Sequence, residues 1–342
     1  MTTPILLSKD ECMKIKKIKS WVVEMIEERA LRQSQDNKVL PSKYWTNFCN
    51  YFDYMLGLSE EHYGQLRLHT YHLDGDNYQS FYFGDVRHYR MATSYDKLVS
   101  VIPSKYRLSA PKILGEFGYD LGGCTVNNTI VRLQRTINTL YLEGVLPNLE
   151  AAKERQFLLE VGGGYGCLAY QLKRILDNTT FFIVDLPETL LFSASYLSLA
   201  LPDKRIYLYD SSFPKLLSAE LSDYDFILLP NYALSYLTGI KFNLALNIAS
   251  FQEMTRDQLI EYLDFIRAHS RLLYSMNQPV QDKNPDHINV TDALKERFSI
   301  KRIPAPFILR ESRRWWIHFA AYLLGLRERL PNEYKEYVCT PN

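Results

Sequence analysis

The sequence predicts an α/β protein with a mostly parallel sheet covered on both faces. Three observations carry this. From about residue 153 onward, apolar runs of strand length alternate with helical stretches. The first run, Phe157–Val161, feeds into a glycine cluster, Gly162–Gly166. The second, FFIVD at Phe181–Asp185, ends in an acid, so a strand, a glycine turn, a helix and an acid-tipped strand follow one another.

The elements follow in order. Glu11–Gln33 has Ile15, Ile18, Val22, Met25 and Ile26 at helical spacing with charges between them, and reads as an amphipathic helix. Asp36–Pro41 reads as a linker, and Ser42–Leu58 as aromatic and helical in part. Leu66–Tyr82 carries turn signals at Asp74–Gly75 and Asp76–Asn77, and reads as a loop between short elements. Pro111, Gly115 and Gly118 break Lys105–Asp120, while Ile130, Leu133, Ile137 and Leu140 give Asn127–Leu142 one apolar stripe. Strands are expected at 157–161, 180–184, 205–209, 225–229, 244–248, 272–275 and 315–320, with a helix at 167–176. Pro187 sits where a first helical turn tolerates it and opens the helix 187–199. Thr255 and Gln258 have capping-box spacing, Met254 and Leu259 staple spacing, and Arg267 lies in that helix's last turn.

The 342 residues suffice for about two domains. With 46% hydrophobic and 23% charged residues, a folded soluble protein is expected. The formal charge of +1 gives no basic face for nucleic acid. No window is long and apolar enough for a spanning helix, and the N-terminal stretch does not read as a signal peptide. Five scattered cysteines without a CxxC fit a reducing, cytoplasmic compartment. Tyrosine is abundant, 25 residues, and crowds into 44–106, where it suits either an aromatic core or a pocket wall.

The glycine cluster has the pattern G-x-G-x-G at Gly162, Gly164 and Gly166, with Gly163 between. A dinucleotide fingerprint needs a third glycine at 167, where this chain has Cys167. No Lys-Ser/Thr follows the cluster, so a Walker-type loop is excluded. Glu160, two residues upstream, suits an ammonium group better than a pyrophosphate, and Asp185 can accept from both ribose hydroxyls. A ligand with a ribose and a cationic amino-acid tail is implied, and S-adenosylmethionine has both.

Residues 157–253 resemble class I S-adenosylmethionine-dependent methyltransferases. Over about 60–310 the chain is similar to the family of sugar O-methyltransferases, through LRLHTYHLDGDNYQSFYFG (66–84), GEFGYD (115–120), VNNTIVRLQRTINTLY (126–141), EVGGGYG (160–166), IVDLPE (183–188) and NIASFQEM (247–254). The resemblance implies a Rossmann-like fold with a seven-stranded sheet over 151–342. It implies a helical, aromatic-rich segment over 1–150 that caps the site, binds the acceptor or forms a homodimer. It also implies transfer of a methyl group to a hydroxyl of a sugar or glycosylated small molecule, with O- or N-methylation of an aromatic, peptide or polyketide intermediate as the alternative and a non-catalytic binding protein of this fold as a further one. By the same resemblance Glu160, Gly162, Gly163, Gly164 and Gly166 line the methionine end and Asp185 holds the ribose. Leu186 lies beside adenine, Asp210 and Ser211 at the adenine edge, and Asn231 between cofactor and acceptor.

A sugar hydroxyl is a weak acid and needs a general base. His69 and His72 on the cap side and Glu253 before the capped helix are the candidates, one as base and the other orienting it or binding a sugar hydroxyl. Asn247 and Asn277 are lesser ones. Each has a structural alternative: Glu253 as a charge near a helix N-terminus, the histidines as packing residues. His88, His269, His287 and His318 are weaker candidates still. Arg67, Arg87 and Arg90 read as surface arginines or an anion site. His69, His72, Asp74 and Asp76 have spacing for a metal, but DGDN reads equally as a turn, and no metal is expected.

Overall fold

The computed structural model describes residues 6–33, 37–76, 85–216, 218–279, 288–304 and 334–342. The N-terminal part is helical: α1 (Lys9–Arg32), α2 (Lys43–Gly57), a short α3 (Tyr71–Asp74) and α4 (Asp85–Val99). A 3-10 stretch, Glu60–His69, precedes α3, so 66–76 is turned structure rather than open loop. A two-stranded hairpin, β1 (Tyr119–Leu121) and β2 (Cys124–Val126), leads to α5 (Asn128–Leu142) and α6 (Val145–Ala151). Asn127 caps α5, its side chain accepting from the Ile130 amide.

The main sheet follows: β3 (Gln156–Val161), α7 (Cys167–Ile175), β4 (Thr179–Asp185), α8 (Pro187–Ala200), β5 (Ile206–Leu208), α9 (Ser218–Leu221), β6 (Phe226–Pro230), β7 (Leu244–Ile248), α10 (Arg256–His269), β8 (Leu273–Asn277), α11 (Val290–Lys295), β9 (Phe298–Ile303) and β10 (Lys335–Pro341). Its order is β5-β6-β4-β3-β7-β8-β10-β9, parallel as far as β8, with β10 antiparallel to both β8 and β9. This is a Rossmann-like doubly wound sheet. β3, β4 and β7 are covered on both faces, which is why their sequences are apolar runs and not alternations. No helix among the described residues is long and apolar enough to cross a membrane.

Among the described residues the sheet has eight strands, where seven were expected. Six of the seven appear, and the pair β9 and β10 completes the far edge. The seventh expectation, 315–320, lies outside the described residues. The capping box at Thr255 and Gln258 and the proline start of α8 are both present.

Strand order decides where a ligand can sit. From β3 the chain winds outward through β4, then returns to the other side of β3 at β7. Loops leaving the carboxyl ends of β3 and β7 diverge, and a crevice opens between them. β6 lies beyond β4, so Asn231 follows a strand two places from β3 rather than one beside it. The N-terminal helices cover this end. α1 packs on α8, Trp21 Nε1 donates to the Tyr209 carbonyl at 2.7 Å, and Arg29 pairs with Glu188 in the interior.

Candidate active site

A cavity of about 370 Å3 occupies the crevice. Gly162, Gly164, Asp185, Leu186, Asn231 and Tyr262 line it on the sheet side, with Ala249, Ser250 and Glu253. Ser42, Trp45, His72 and Leu73 close it from the N-terminal side, and Arg32 and Lys38 also line it.

The glycine loop is built for close approach. Gly162 has φ +78°, and a β-carbon there would overlap the Ser250 side chain. Its amide donates to the Val184 carbonyl at 2.9 Å. Asp185 braces the same loop. One carboxylate oxygen accepts from the Gly164 amide at 3.1 Å and the other from the Leu186 amide at 2.8 Å. Burial pushes this carboxyl up to about 7, against the downward pull of the backbone donors.

Glu160 lies beneath the loop, between Ile183 of β4 and Leu246 of β7. It is only 4% exposed, and its Oε2 has no hydrogen-bond partner among the described residues. Burial, then the neighbouring Asp185, holds its carboxyl well above the usual range. Neither Glu160 nor Gly163 nor Gly166 is part of the cavity lining; they support it from behind.

Glu253 stands on the β7 side, in a 3-10 turn at Phe251–Glu253. Trp45 Nε1 donates to its Oε2 at 3.0 Å, and the Ser42 hydroxyl donates to its carbonyl at 2.6 Å. Burial pushes the carboxyl up to about 8; the Trp45 bond opposes this, and Asp185 adds to it. The turn is held from below. Asn247 donates to the Val161 carbonyl at 2.9 Å, and Asn277 donates to Asn247 Oδ1 at 2.8 Å. Both asparagines are buried, so they act as scaffold for the turn. Ala249, between Asn247 and Glu253 in the chain, has φ +65°, a conformation rare outside glycine, and lines the cavity.

The structure separates the two histidines. His72 is exposed at the cavity wall, 5.2 Å from the Phe48 ring and stacked with Tyr51 at 6.2 Å and 11°. His69 is not part of the lining; its Nδ1 shares a 2.8 Å hydrogen bond with the Tyr54 hydroxyl. Burial, and then His62, lowers its pKa. Asp210 and Ser211 also stay outside the lining. Asp210 accepts from the Tyr207 hydroxyl at 2.9 Å and the Ser212 amide at 2.8 Å, closing its own turn. Asn231 does reach the cavity. Its Nδ2 donates to the Val39 carbonyl at 2.9 Å, and its Oδ1 is buried without a partner among the described residues.

Asp74 and Asp76 turn away from both histidines. Asp74 pairs with Arg67, and Asp76 accepts from Asn128 and the Thr129 amide. Arg67 is buried, not a surface arginine. His269 ends α10, as its position implied. The side chains of Arg87 and His88, with His287 and His318, lie outside the described residues.

Sequence reasoning missed Trp45, Ser42 and Ala249. The first two sit at the start of α2, some 200 residues from the turn they hold, and nothing local to them signals that contact.

No family model matches this chain, and no curated protein does. Among solved structures, a Thermoplasma acidophilum protein is 13% identical, covering 62% of this chain and 90% of its own, with a TM-score of 0.35. An O-methyltransferase family protein from Burkholderia thailandensis is 9% identical, with 63% and 60% covered and a TM-score of 0.35. Phosphoethanolamine N-methyltransferase 2 of Haemonchus contortus, solved with S-adenosylmethionine, is 11% identical, with 58% and 51% covered and a TM-score of 0.35. This chain spans between half and two thirds of the length of these two methyltransferases. Likeness this loose leaves the chemistry to be read from the residues themselves.

Proposed function

We propose that the protein is an S-adenosylmethionine-dependent O-methyltransferase acting on a hydroxyl of a sugar or glycosylated small molecule. The observation that carries this is the grouping at one cavity of a glycine loop, a brace acid and a second perturbed acid, with an unpartnered buried carboxylate beneath the loop. Glu160 fits a cationic tail: its oxygen is desolvated and unpaired, so a positive charge above the loop lowers the energy of the ionised acid. Asp185 fits a ribose. One of its oxygens accepts from the Gly164 amide and the other from the Leu186 amide, with Gly163 a further donor, and a carboxylate has acceptor sites beyond these for ribose hydroxyls. Leu186 offers an apolar wall for the base, and Asn231 Oδ1 a free acceptor beside it.

The cofactor, when bound, supplies the electrophilic methyl, so no nucleophilic residue is required. The chain's own work is to orient the acceptor, exclude water and take its proton. We assign the last task to Glu253. Trp45 holds one carboxylate oxygen, and a pKa near 8 makes the ionised form a useful base close to neutral pH. His72 faces the cavity from the N-terminal side and can orient an acceptor hydroxyl. The His72 ring, backed by Phe48 and Tyr51, which lie outside the cavity lining, gives a sugar's apolar face an edge to pack against. Residues 1–150 act as the cap, and 151–342 carry the cofactor.

Thermal unfolding provides the first test. S-adenosylmethionine should raise the melting temperature and NAD should not, because only a ligand of the folded state stabilises it. An unchanged curve at millimolar S-adenosylmethionine rejects the proposal. Transfer of a labelled methyl group, scored on a panel of glycosides and of phenols, then separates the acceptor classes.

A further inference from the structure

Arg67 sits at the junction of four separate stretches of chain. Its side chain is 0% exposed. Nε donates to both oxygens of Glu116, at 2.9 and 3.0 Å, and Nη1 to Asp74 at 2.8 Å and to the Thr70 hydroxyl. Its backbone amide donates to the Leu114 carbonyl at 2.9 Å, and Asn127 also donates to Glu116, at 3.1 Å. The guanidinium carbon lies over the Tyr165 ring, 4.0 Å from its centre, and over the Phe117 ring at 5.1 Å. Tyr165 stands between Gly164 and Gly166 in the cavity loop and is itself buried, with its ring edge-on to Tyr196 at 5.0 Å.

The two halves of the guanidinium thus grip different things. Its donor edge holds the segment 70–76, which carries His72 and Leu73 into the cavity wall. Its carbon, seated over the Tyr165 ring, meets the glycine loop. Glycines have the largest backbone freedom to lose, so a loop with four of them in five residues needs an external clamp to hold one conformation. A buried ion pair contributes little net stability compared with an apolar replacement, so stability alone does not account for it.

We infer that Arg67 is a positioning residue that fixes the Gly162–Gly166 loop through the Tyr165 ring and sets it against the His72-bearing wall. In class, this is a coupling element between the cap and the cofactor loop. A lysine keeps the charge but can neither fork between two carboxylates nor stack on the ring. The consequence for cofactor rests on the function proposed above; the consequence for the loop does not.

The experiment has two readouts on the full-length protein. Amide hydrogen exchange across 162–166 is measured without ligand, and the S-adenosylmethionine dissociation constant by calorimetry. Arg67→Lys should speed exchange in the loop and weaken binding about 10-fold, the scale of a desolvated cation–ring contact. Tyr165→Leu, which leaves both ion pairs whole, should do the same, and it carries the test if Arg67→Lys does not fold. Tyr165→Phe keeps the ring and should track the wild type. The double variant should be no worse than either single one. If Arg67→Lys lowers the melting temperature but leaves loop exchange unchanged, or if the two single effects add in full, the inference is overturned. A wild type that does not bind S-adenosylmethionine sinks the proposed function instead, and the exchange arm still decides on Arg67.

Discussion

Lowering the pH from 8 to 6 should weaken S-adenosylmethionine binding about tenfold through Asp185 alone. This carboxyl sits at about 7 in the ligand-free protein because burial outweighs the Leu186 and Gly164 amides that favour its ionised form. Accepting two ribose hydroxyls requires the ionised form. With a pKa near 7, about one molecule in eleven is ionised at pH 6 and about ten in eleven at pH 8, a ratio worth ~1.4 kcal/mol. The sign follows from the proton's place. The free protein holds it, binding releases it, and affinity therefore rises with pH and levels off above about 8. The same upward shift makes the ligand-free fold lose stability as pH rises from the ordinary aspartate range through 7. Calorimetry in two buffers of different ionisation enthalpy measures the released proton directly. Glu253 is pushed up to about 8 and titrates in the same window, so the measurement is made in the Glu253→Gln background. There Asp185→Asn should bind weakly and with a shallower slope between pH 6 and 8, any remaining slope coming from Glu160, whose carboxyl burial also raises. A flat affinity with Asp185 intact, or an unchanged slope in its asparagine variant, refutes the reasoning.

Glu253→Gln should leave cofactor affinity within about twofold and reduce turnover by roughly a hundredfold or more, the range of a lost general base; full turnover would return Glu253 to a structural role. Gly162→Ala forces a β-carbon into Ser250 at a positive φ and should abolish measurable cofactor binding, with Ser250→Gly restoring part of it. Wild-type affinity in Gly162→Ala would remove the loop from the site. Arg29→Met leaves Glu188 buried without its cation and should cost about 3 kcal/mol in urea unfolding, although the α8 N-terminus offsets part of that. A cost under about 1 kcal/mol would mean that α1 is held by its apolar contacts alone.

Local signals were read well. The capping box at Thr255, the proline start of α8 and the buried runs of β3, β4 and β7 each depend on residues within a few positions of one another. The turn acid Asp210 was read less well. It has the sequence position of a ligand contact, but Ser212 and Tyr207 satisfy it first. His69 and His72 look equivalent in sequence. A single 3-10 turn ends between them and sends one to Tyr54 and the other to the cavity. Asp74 and Asp76 do form the expected turn, with the Asp76 amide donating to Asp74 at 2.9 Å and Gly75 at φ +74°, and they also serve a buried arginine and a helix N-terminus. Arg67 was the largest misreading, because an arginine's default is solvent and only its distant acids at 74 and 116 make the interior tolerable.

The sequence by itself determined that a glycine turn joins a buried strand to a helix, that an acid tips the next strand, and which helices begin where. Backbone propensity, capping and apolar patterning act over a few residues, so they are written into the chain locally. Tertiary structure decided that β7 rather than β6 flanks β3, that Trp45 holds Glu253, and that Arg67 lies under the Tyr165 ring. Those arrangements depend on which distant segments exclude water together, and burial, which sets the carboxyl pKa values of the site, exists only once they have done so.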